Sequence, residues 1–516
     1  MKVGRTLLVG VPVLFLGYFF VYPVASILIE AATGEGGMDF LLTASTGRAL
    51  WFTLWQAAVS TVLTLLVAFP LTWVVSNFDF AGRRTVMALV TVPFVLPSVV
   101  VASAFIALGL RDSVVAILVA HVFFNVSVVV RTVTTVWARL DRSPIDAART
   151  LGASPWTAFR QVTLPLLSPS IAAASSIVFL LCFTSFGIVL LLGGLRLRTI
   201  EVEIYQRVTT YLDLPAAGAL ALVQLVGIVA VMTAYARLQE RRTRKLHLRP
   251  EAQVLRVARG RERIWMWSIV TATTALTLVP PTVLIARSMR SGAAGWRFLA
   301  DPGPLAVDPG AAIGNSLQSA AIAALIALAV GVPAAVVVAR SAPGWGRWMD
   351  VVVMLPLGTS AVTIGLGFLV ALDRPIDLRT APIIVPIAHA LVAIPFVVRA
   401  VLPTIRSIRT VLRDAAAVLG ASPARVWREV DLPLMARAVG VAGGFAAAVS
   451  LGEFGATAFI VRPGTVTVPT LIYRLLGRPG AVTFSGAMAM SVILMVLVGG
   501  LVMSLDRLRA GELGSF

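Results

Sequence analysis

His121, His389 and Glu453 stand inside long apolar runs of a 516-residue chain, and they are the residues there whose types could do chemistry. An imidazole can pass a proton or ligate a metal. A carboxylate inside a membrane span costs about 2.5–3.5 kcal/mol on insertion scales, so it is kept for a purpose. Glu453 has Ser185 as its counterpart 268 residues earlier, so the two halves of the chain differ at this point. Two readings stand side by side. These groups bond across packed helices, or they flank a substrate path close to the axis that relates the halves. No nucleophile–base pair or HExxH motif accompanies them, and three scattered histidines do not make a metal site. The expectation is a chain with no catalytic residue, metal or cofactor of its own.

A second group of polar residues recurs. "DAARTLGASPWTAFRQVTLP" (Asp146 to Pro165) returns as "DAAAVLGASPARVWREVDLP" (Asp414 to Pro433). The spacing predicts helix, sharp turn, helix. Asp146 suits the positive end of a helix dipole. Gly152 stands where a residue with positive φ ends the helix. Ser154 is a good N-cap and Pro155 fits the first helical position of the next helix. Pro165 is expected to stop that helix before the following span. Asp414, Gly420, Ser422, Pro423 and Pro433 repeat every device. The positions that vary, Trp156/Ala424, Thr157/Arg425 and Gln161/Glu429, are expected on outward faces. Two copies of such a turn suggest a docking knob for a two-fold-symmetric partner, against the plainer reading of an interfacial joint between spans.

The elements that carry these residues follow from composition. With 58% hydrophobic and 13% charged residues and a mean hydropathy of +0.92, this is no soluble globule. Soluble domains carry roughly a quarter charged residues. Apolar runs of span length recur throughout. We expect an all-α polytopic membrane protein with spans near 6–30, 50–76, 85–110, 113–134, 169–194 and 215–236. The second set lies near 264–288, 314–340, 348–372, 381–403, 436–462 and 484–505. The N-terminal apolar stretch is too long for a signal peptide and reads as a retained first span. The net charge of +19 is placed by the positive-inside rule rather than by nucleic acid, because basic residues gather in alternate loops. Those loops, with "MKVGR", put both termini in the cytoplasm. Lone Cys182 permits no disulfide framework.

The duplication extends well beyond the polar turns. At the same offset His121 matches His389, "SFG" at 185–187 faces "EFG" at 453–455, and "TIEVEIY" (199–205) faces "TVPTLIY" (467–473). Six spans per half is an even number, so the copies are parallel repeats and a path is expected at their interface. The division is 1–236, a basic cytoplasmic linker 237–263, and 264–516, with the repeated loops at 141–168 and 409–435.

The two polar turns resemble the EAA loop of the membrane subunits of binding-protein-dependent ABC importers, with Asp where that family usually has Glu. The resemblance implies the type I importer permease fold. It implies coupling helices that dock on ATP-hydrolysing subunits through Asp146, Ala147, Ala148, Gly152, Ala153, Ser154, Pro155 and Trp156. Their partners in the second half are Asp414, Ala415, Ala416, Gly420, Ala421, Ser422, Pro423 and Ala424. Two such loops in one chain are similar to the fused permeases of thiamine and ferric-iron importers. "AHVFFN" (120–125), "LCFTSFG" (181–187) and "TIEVEIYQ" (199–206) look most like the thiamine branch. The implied partners are two ATPase copies, which bind ATP and Mg, and an extracytoplasmic substrate-binding protein.

One count bears on energy independently. The chain has two lysines, Lys2 and Lys245, and neither follows a glycine, so a phosphate-binding G-x-x-x-x-G-K loop is impossible here. If ATP drives transport, another subunit hydrolyses it. The rival is a major-facilitator secondary transporter, whose signature is partly matched by Asp79 to Arg84. That segment also reads as an ordinary positive-inside turn. Glu201 and Glu203 are expected on the outer side, where they could meet a docked binding protein.

Overall fold

The computed structural model describes residues 2–194, 196–242, 255–290, 293–301, 308–341, 343–374 and 376–510. The 243–254 stretch of the linker, with Lys245, lies outside the described residues, as does the Pro302–Pro304 turn. Ten helices among the described residues are long and apolar enough to cross a membrane. Two further helix pairs qualify together but bend sharply, by 98° and 95°, and counting each once gives twelve crossings.

The first half runs α1 (Leu8–Thr33), α2 (Ala44–Asn77), a bent pair (Arg83–Val95 and Ser98–Ala107), α3 (Val114–Trp137), α4 (Ser143–Thr150), α5 (Leu164–Phe183), α6 (Ile200–Thr209) and α7 (Leu214–Arg242). The second half repeats the order as α8 (Arg261–Met289), α9 (Pro309–Arg340), a bent pair (Gly344–Gly358 and Ala361–Ala371), α10 (Ile384–Ser407), α11 (Thr410–Val418), α12 (Leu432–Gly452), α13 (Val468–Leu476) and α14 (Ala481–Ala510).

Each half is built on a three-helix core, α2 with α3 and α5, and α9 with α10 and α12. Lipid offers no hydrophobic drive between helices, so close approach of small residues and interhelical hydrogen bonds hold them. The buried stripe of α2 (Ala49, Thr53, Ala57, Ser60, Thr64, Ala68) and that of α9 (Ala312, Ser316, Ala320, Ala323, Ala327) meet that requirement. The halves also interlock. α1 packs on α9 and on the Ala361–Ala371 arm, while α8 packs on the Ser98–Ala107 arm of the first half.

The spans expected at 85–110 and 348–372 are therefore not straight. Pro97 cannot donate a backbone N–H, and the residue before proline favours extended backbone. Leu96 accordingly turns to ψ 136° and the chain bends. In the second half Thr359 is extended and Ser360 caps the new helix, accepting from Val362 N at 3.0 Å. Hydropathy reports that such a run is apolar, not that it bends. The runs at 169–194 and 436–462 break as well, at Phe183 and Gly452, before the short helices Gly187–Leu192 and Thr457–Ile460.

One end of the bundle gathers the basic loops. Arg256, at the described end of the linker, pairs its backbone with Asn77 O (3.0 Å) and Asp79 N (2.9 Å), and its guanidinium lies over Phe78 and binds Glu262. Arg142, just before α4, donates to Asn77 Oδ1 at 3.2 Å. The first polar turn thus shares an end with the Gly82-Arg83-Arg84 loop and the linker.

Candidate functional site

The two polar turns fold alike from local chemistry. Gly152 has φ +90° and Gly420 φ +81°, the left-handed region glycine enters without a Cβ penalty. Ala153 N bonds to Ala148 O and Ala421 N to Ala416 O, both at 3.0 Å, which closes the helix ends as paired Schellman turns. Ser154 Oγ accepts from Thr157 N at 3.1 Å and Ser422 Oγ from Arg425 N at 3.4 Å, as N-caps should. Nothing in α4 or α11 is buried. Asp146 and Ala147 with Asp414 and Ala415 are exposed, and Ala148 and Ala416 are half-buried. The tips are Leu151 and Leu419, 89% and 87% exposed, beside Trp156 and Val418. An exposed apolar tip kept in both halves is a surface made to be covered.

Three details differ from expectation. Asp146 lies in the first turn of α4, but α11 begins at Thr410, so Asp414 falls in its second turn, away from the dipole end. Thr157 is half-buried rather than outward. Pro165 and Pro433 do not stop their helices. A π turn precedes each, Phe159–Thr163 and Trp427–Asp431, and the chain continues directly into α5 and α12. The wider i→i+5 turn shifts the carbonyl ladder, so a residue without an N–H fits the first turn of the next segment.

At the other end of the core, four aromatic rings meet. Phe186 stacks on Phe454 with centroids 5.4 Å apart, and Tyr205 meets Tyr473 edge-on at 6.4 Å. Phe186 also touches Tyr205 (5.3 Å), and Phe454 touches Tyr473 (5.5 Å). Each of the first two contacts joins a residue to its own repeat equivalent, 268 positions away. Only residues beside the axis relating the repeats can do that. The quartet therefore marks the axis. The repeated phrases "SFG/EFG" and "TIEVEIY/TVPTLIY" contained all four rings, and the shared aromatic in each phrase was the available signal.

Ser185 and Glu453 immediately precede Phe186 and Phe454 in sequence, and each bonds to the histidine of its own half. His121 bonds Ser60 Oγ through Nδ1 (3.0 Å) and Ser185 Oγ through Nε2 (2.8 Å). His389 bonds Ser450 Oγ through Nδ1 (2.7 Å), and its Nε2 lies 2.7 Å from Thr457 Oγ1 and 3.2 Å from Glu453 Oε2. Glu453 also accepts from Ala456 N (2.8 Å), Thr457 N (3.1 Å) and Thr457 Oγ1 (2.6 Å). It caps the short helix that follows the break in α12. All four groups, His121, Ser185, His389 and Glu453, are buried. Gly452 and Gly455 do sit tight: an added Cβ would come 3.3 Å from Pro97 and 3.0 Å from Ala361.

Glu201 and Glu203 are not on the outer surface. Both are buried. Glu201 accepts from the Gln224 amide, and Glu203 sits between Arg207 (3.0 Å) and Arg198 (3.5 Å). Arg207 in turn covers the rings of Phe40 and Tyr211. In α6 alternate charges in a short helix looked solvent-facing, but neighbouring α7 covers them.

Comparison with known proteins agrees with this architecture. The family described as "Binding-protein-dependent transport system inner membrane component" matches residues 68–245. The chain is 30% identical to a protein of Brucella abortus (strain 2308) named "Thiamine transport system permease protein ThiP", across 95% of this chain and 93% of that one. It is 27% identical to the protein of the same name from Escherichia coli (strain K12), across 84% of each. It is also 28% identical to the "Sulfate transport system permease protein CysT" of Escherichia coli, across 47% of this chain but 95% of the relative. A whole relative thus matches about half of this chain, as a duplicated chain requires. None of these similarities points to a major-facilitator transporter.

Proposed function

Because this chain belongs to the inner membrane components of binding-protein-dependent transport systems, we propose that it forms the translocation path of an ATP-driven importer for thiamine. Membership makes it a multi-pass transport subunit rather than an enzyme, working with a binding protein and an ATP-hydrolysing subunit. The observation that carries the substrate is likeness over nearly the whole chain to permeases named for thiamine transport.

Two ATPase copies dock, one on each turn, through the residues from Asp146 to Trp156 and from Asp414 to Ala424. ATP and Mg belong to those subunits. The shared Schellman turns and exposed leucines support a two-fold partner. Both termini lie in the cytoplasm, a placement supported by the gathering of basic loops at one end. The Phe186/Phe454 and Tyr205/Tyr473 pairs close the path in the conformation described, and they must part for substrate to pass.

Labelled-thiamine uptake in cells lacking the gene, with and without its restoration, tests the substrate. Uptake lost and then rescued is expected. Unchanged uptake would overturn thiamine and turn the search to ferric iron. Docking is tested by Gly152→Asp with Gly420→Asp, which should leave a folded permease that no longer co-purifies with its ATPase.

A further inference from the structure

Each half contains one long helix bonded at one end to a coupling turn and at the other to a gate helix. In the first half, Arg142 leads into α4 and donates to Asn77 Oδ1 at the end of α2, at 3.2 Å. Towards the other end of α2, Thr53 Oγ1 accepts from Ile200 N at 2.9 Å. Ile200 is the first residue of α6, which carries Tyr205. In the second half, Arg413 of α11 and Arg340 at the end of α9 both bind the buried carboxylate of Asp431, at 2.7 and 2.9 Å. Towards the other end of α9, Ser316 Oγ accepts from Val468 N at 2.8 Å. Val468 is the first residue of α13, which carries Tyr473.

The correspondence is close. Positions 53 to 77 and 316 to 340 span the same length of helix, about 36 Å at 1.5 Å per residue. Both helices contain one internal proline, Pro70 and Pro333, and run on continuously through it. Both upper bonds satisfy the first N–H of a helix, a group with no partner inside its own helix. Such a bond is directional and made in a dry setting, so the hydroxyl and the helix start move together.

We infer that α2 and α9 are connecting rods. Movement of a docked coupling turn is carried along the rod, and the Thr53 and Ser316 hydroxyls draw α6 and α13, with Tyr205 and Tyr473, away from the axis. The rods differ at their coupling ends. The second is held by a buried carboxylate between two arginines, whereas the first has an amide, and Thr163 stands where Asp431 would be. The second turn is therefore the stiffer input.

This inference rests on reading the aromatic quartet as the gate. Its test uses the full complex with ATPase and binding protein, and does not depend on the substrate. Tyr205→Cys with Tyr473→Cys places a cross-linkable pair across the axis, and a protease site in the linker lets a gel report whether the halves are joined. With native rods, ATP should lower the cross-linked fraction about fivefold or more, the usual scale of coupling between sites. With Thr53→Val and Ser316→Ala added, ATP hydrolysis should persist while ATP no longer alters cross-linking. Thr53→Ser with Ser316→Thr, which keeps both hydroxyls, should restore the response. An undiminished ATP response in the hydroxyl-free variant would overturn the rods. No ATP response with native rods would instead overturn the quartet as the gate. If the hydroxyl-free variant does not assemble, Asn77→Ala with Asp431→Ala removes the acceptor at the coupling end of each rod, far from the gate, and must give the same loss.

Discussion

Phe186 stacks on Phe454, its own repeat equivalent, with ring planes 22° apart and centroids at 5.4 Å. The pair lies beside the axis relating the repeats, where the proposed path runs. Phe186→Ala with Phe454→Ala should raise passive thiamine flux into proteoliposomes without ATP. Lowering the barrier by about 1.4 kcal/mol would give a tenfold rise. Flux at the wild-type level would place the closure elsewhere.

The polar turns were legible in the sequence because their chemistry is local. Gly152 with Ser154, and Gly420 with Ser422, specify a turn whatever surrounds them. The elbows were not legible, although Pro97 was in view, since an apolar run looks the same whether it is straight or bent. The quartet was less accessible still. Phe186 and Phe454 each look like ordinary core residues, and only the two-fold arrangement of halves brings them together. Glu453 was legible as an expensive group but not as a helix cap, because its partners Ala456 and Thr457 lie on a break that hydropathy hides.

The coupling tips give a second prediction. Leu151 and Leu419 bury nothing within the chain, so Leu151→Ala and Leu419→Ala should leave thermal stability within about 0.5 kcal/mol, as surface changes do. Covering a leucine is worth about 1.5–3 kcal/mol. Each substitution should therefore weaken ATPase binding about tenfold or more. A detergent-solubilised pull-down titration reads this directly, and unchanged binding would show that the ATPase docks elsewhere on the turn.

Glu203 provides a third. Its ion pairs with Arg207 and Arg198 are internal, so Glu203→Ala removes the buried carboxylate that both guanidinium groups share and leaves Arg207 its longer pair with Asp213. Breaking one side of a buried pair costs about 3–5 kcal/mol, which here is an upper figure because the arginines keep some solvent. The melting temperature should fall, and binding-protein affinity per folded molecule should not. Loss of affinity with an unchanged melt would return Glu203 to the outer surface.

The asymmetry between Ser185 and Glu453 yields the last. Both sit at the end of a histidine-centred network, His121 in one half and His389 in the other, but they carry different loads. Ser185 makes one neutral bond to His121, and such bonds inside a membrane average about 0.6 kcal/mol. Glu453 accepts from two backbone N–H groups, a hydroxyl and His389, and bonds to a charged group are worth about 1.5–3 kcal/mol each. Removing it also leaves Ala456 N and Thr457 N without an acceptor in a dry setting. Ser185→Ala should therefore barely move the melt, Glu453→Gln should lower it moderately by keeping one acceptor oxygen, and Glu453→Ala should lower it most. The order of the three melting temperatures is the measurement. Equal melts combined with lost thiamine uptake in Glu453→Gln would make this carboxylate a substrate contact rather than a cap.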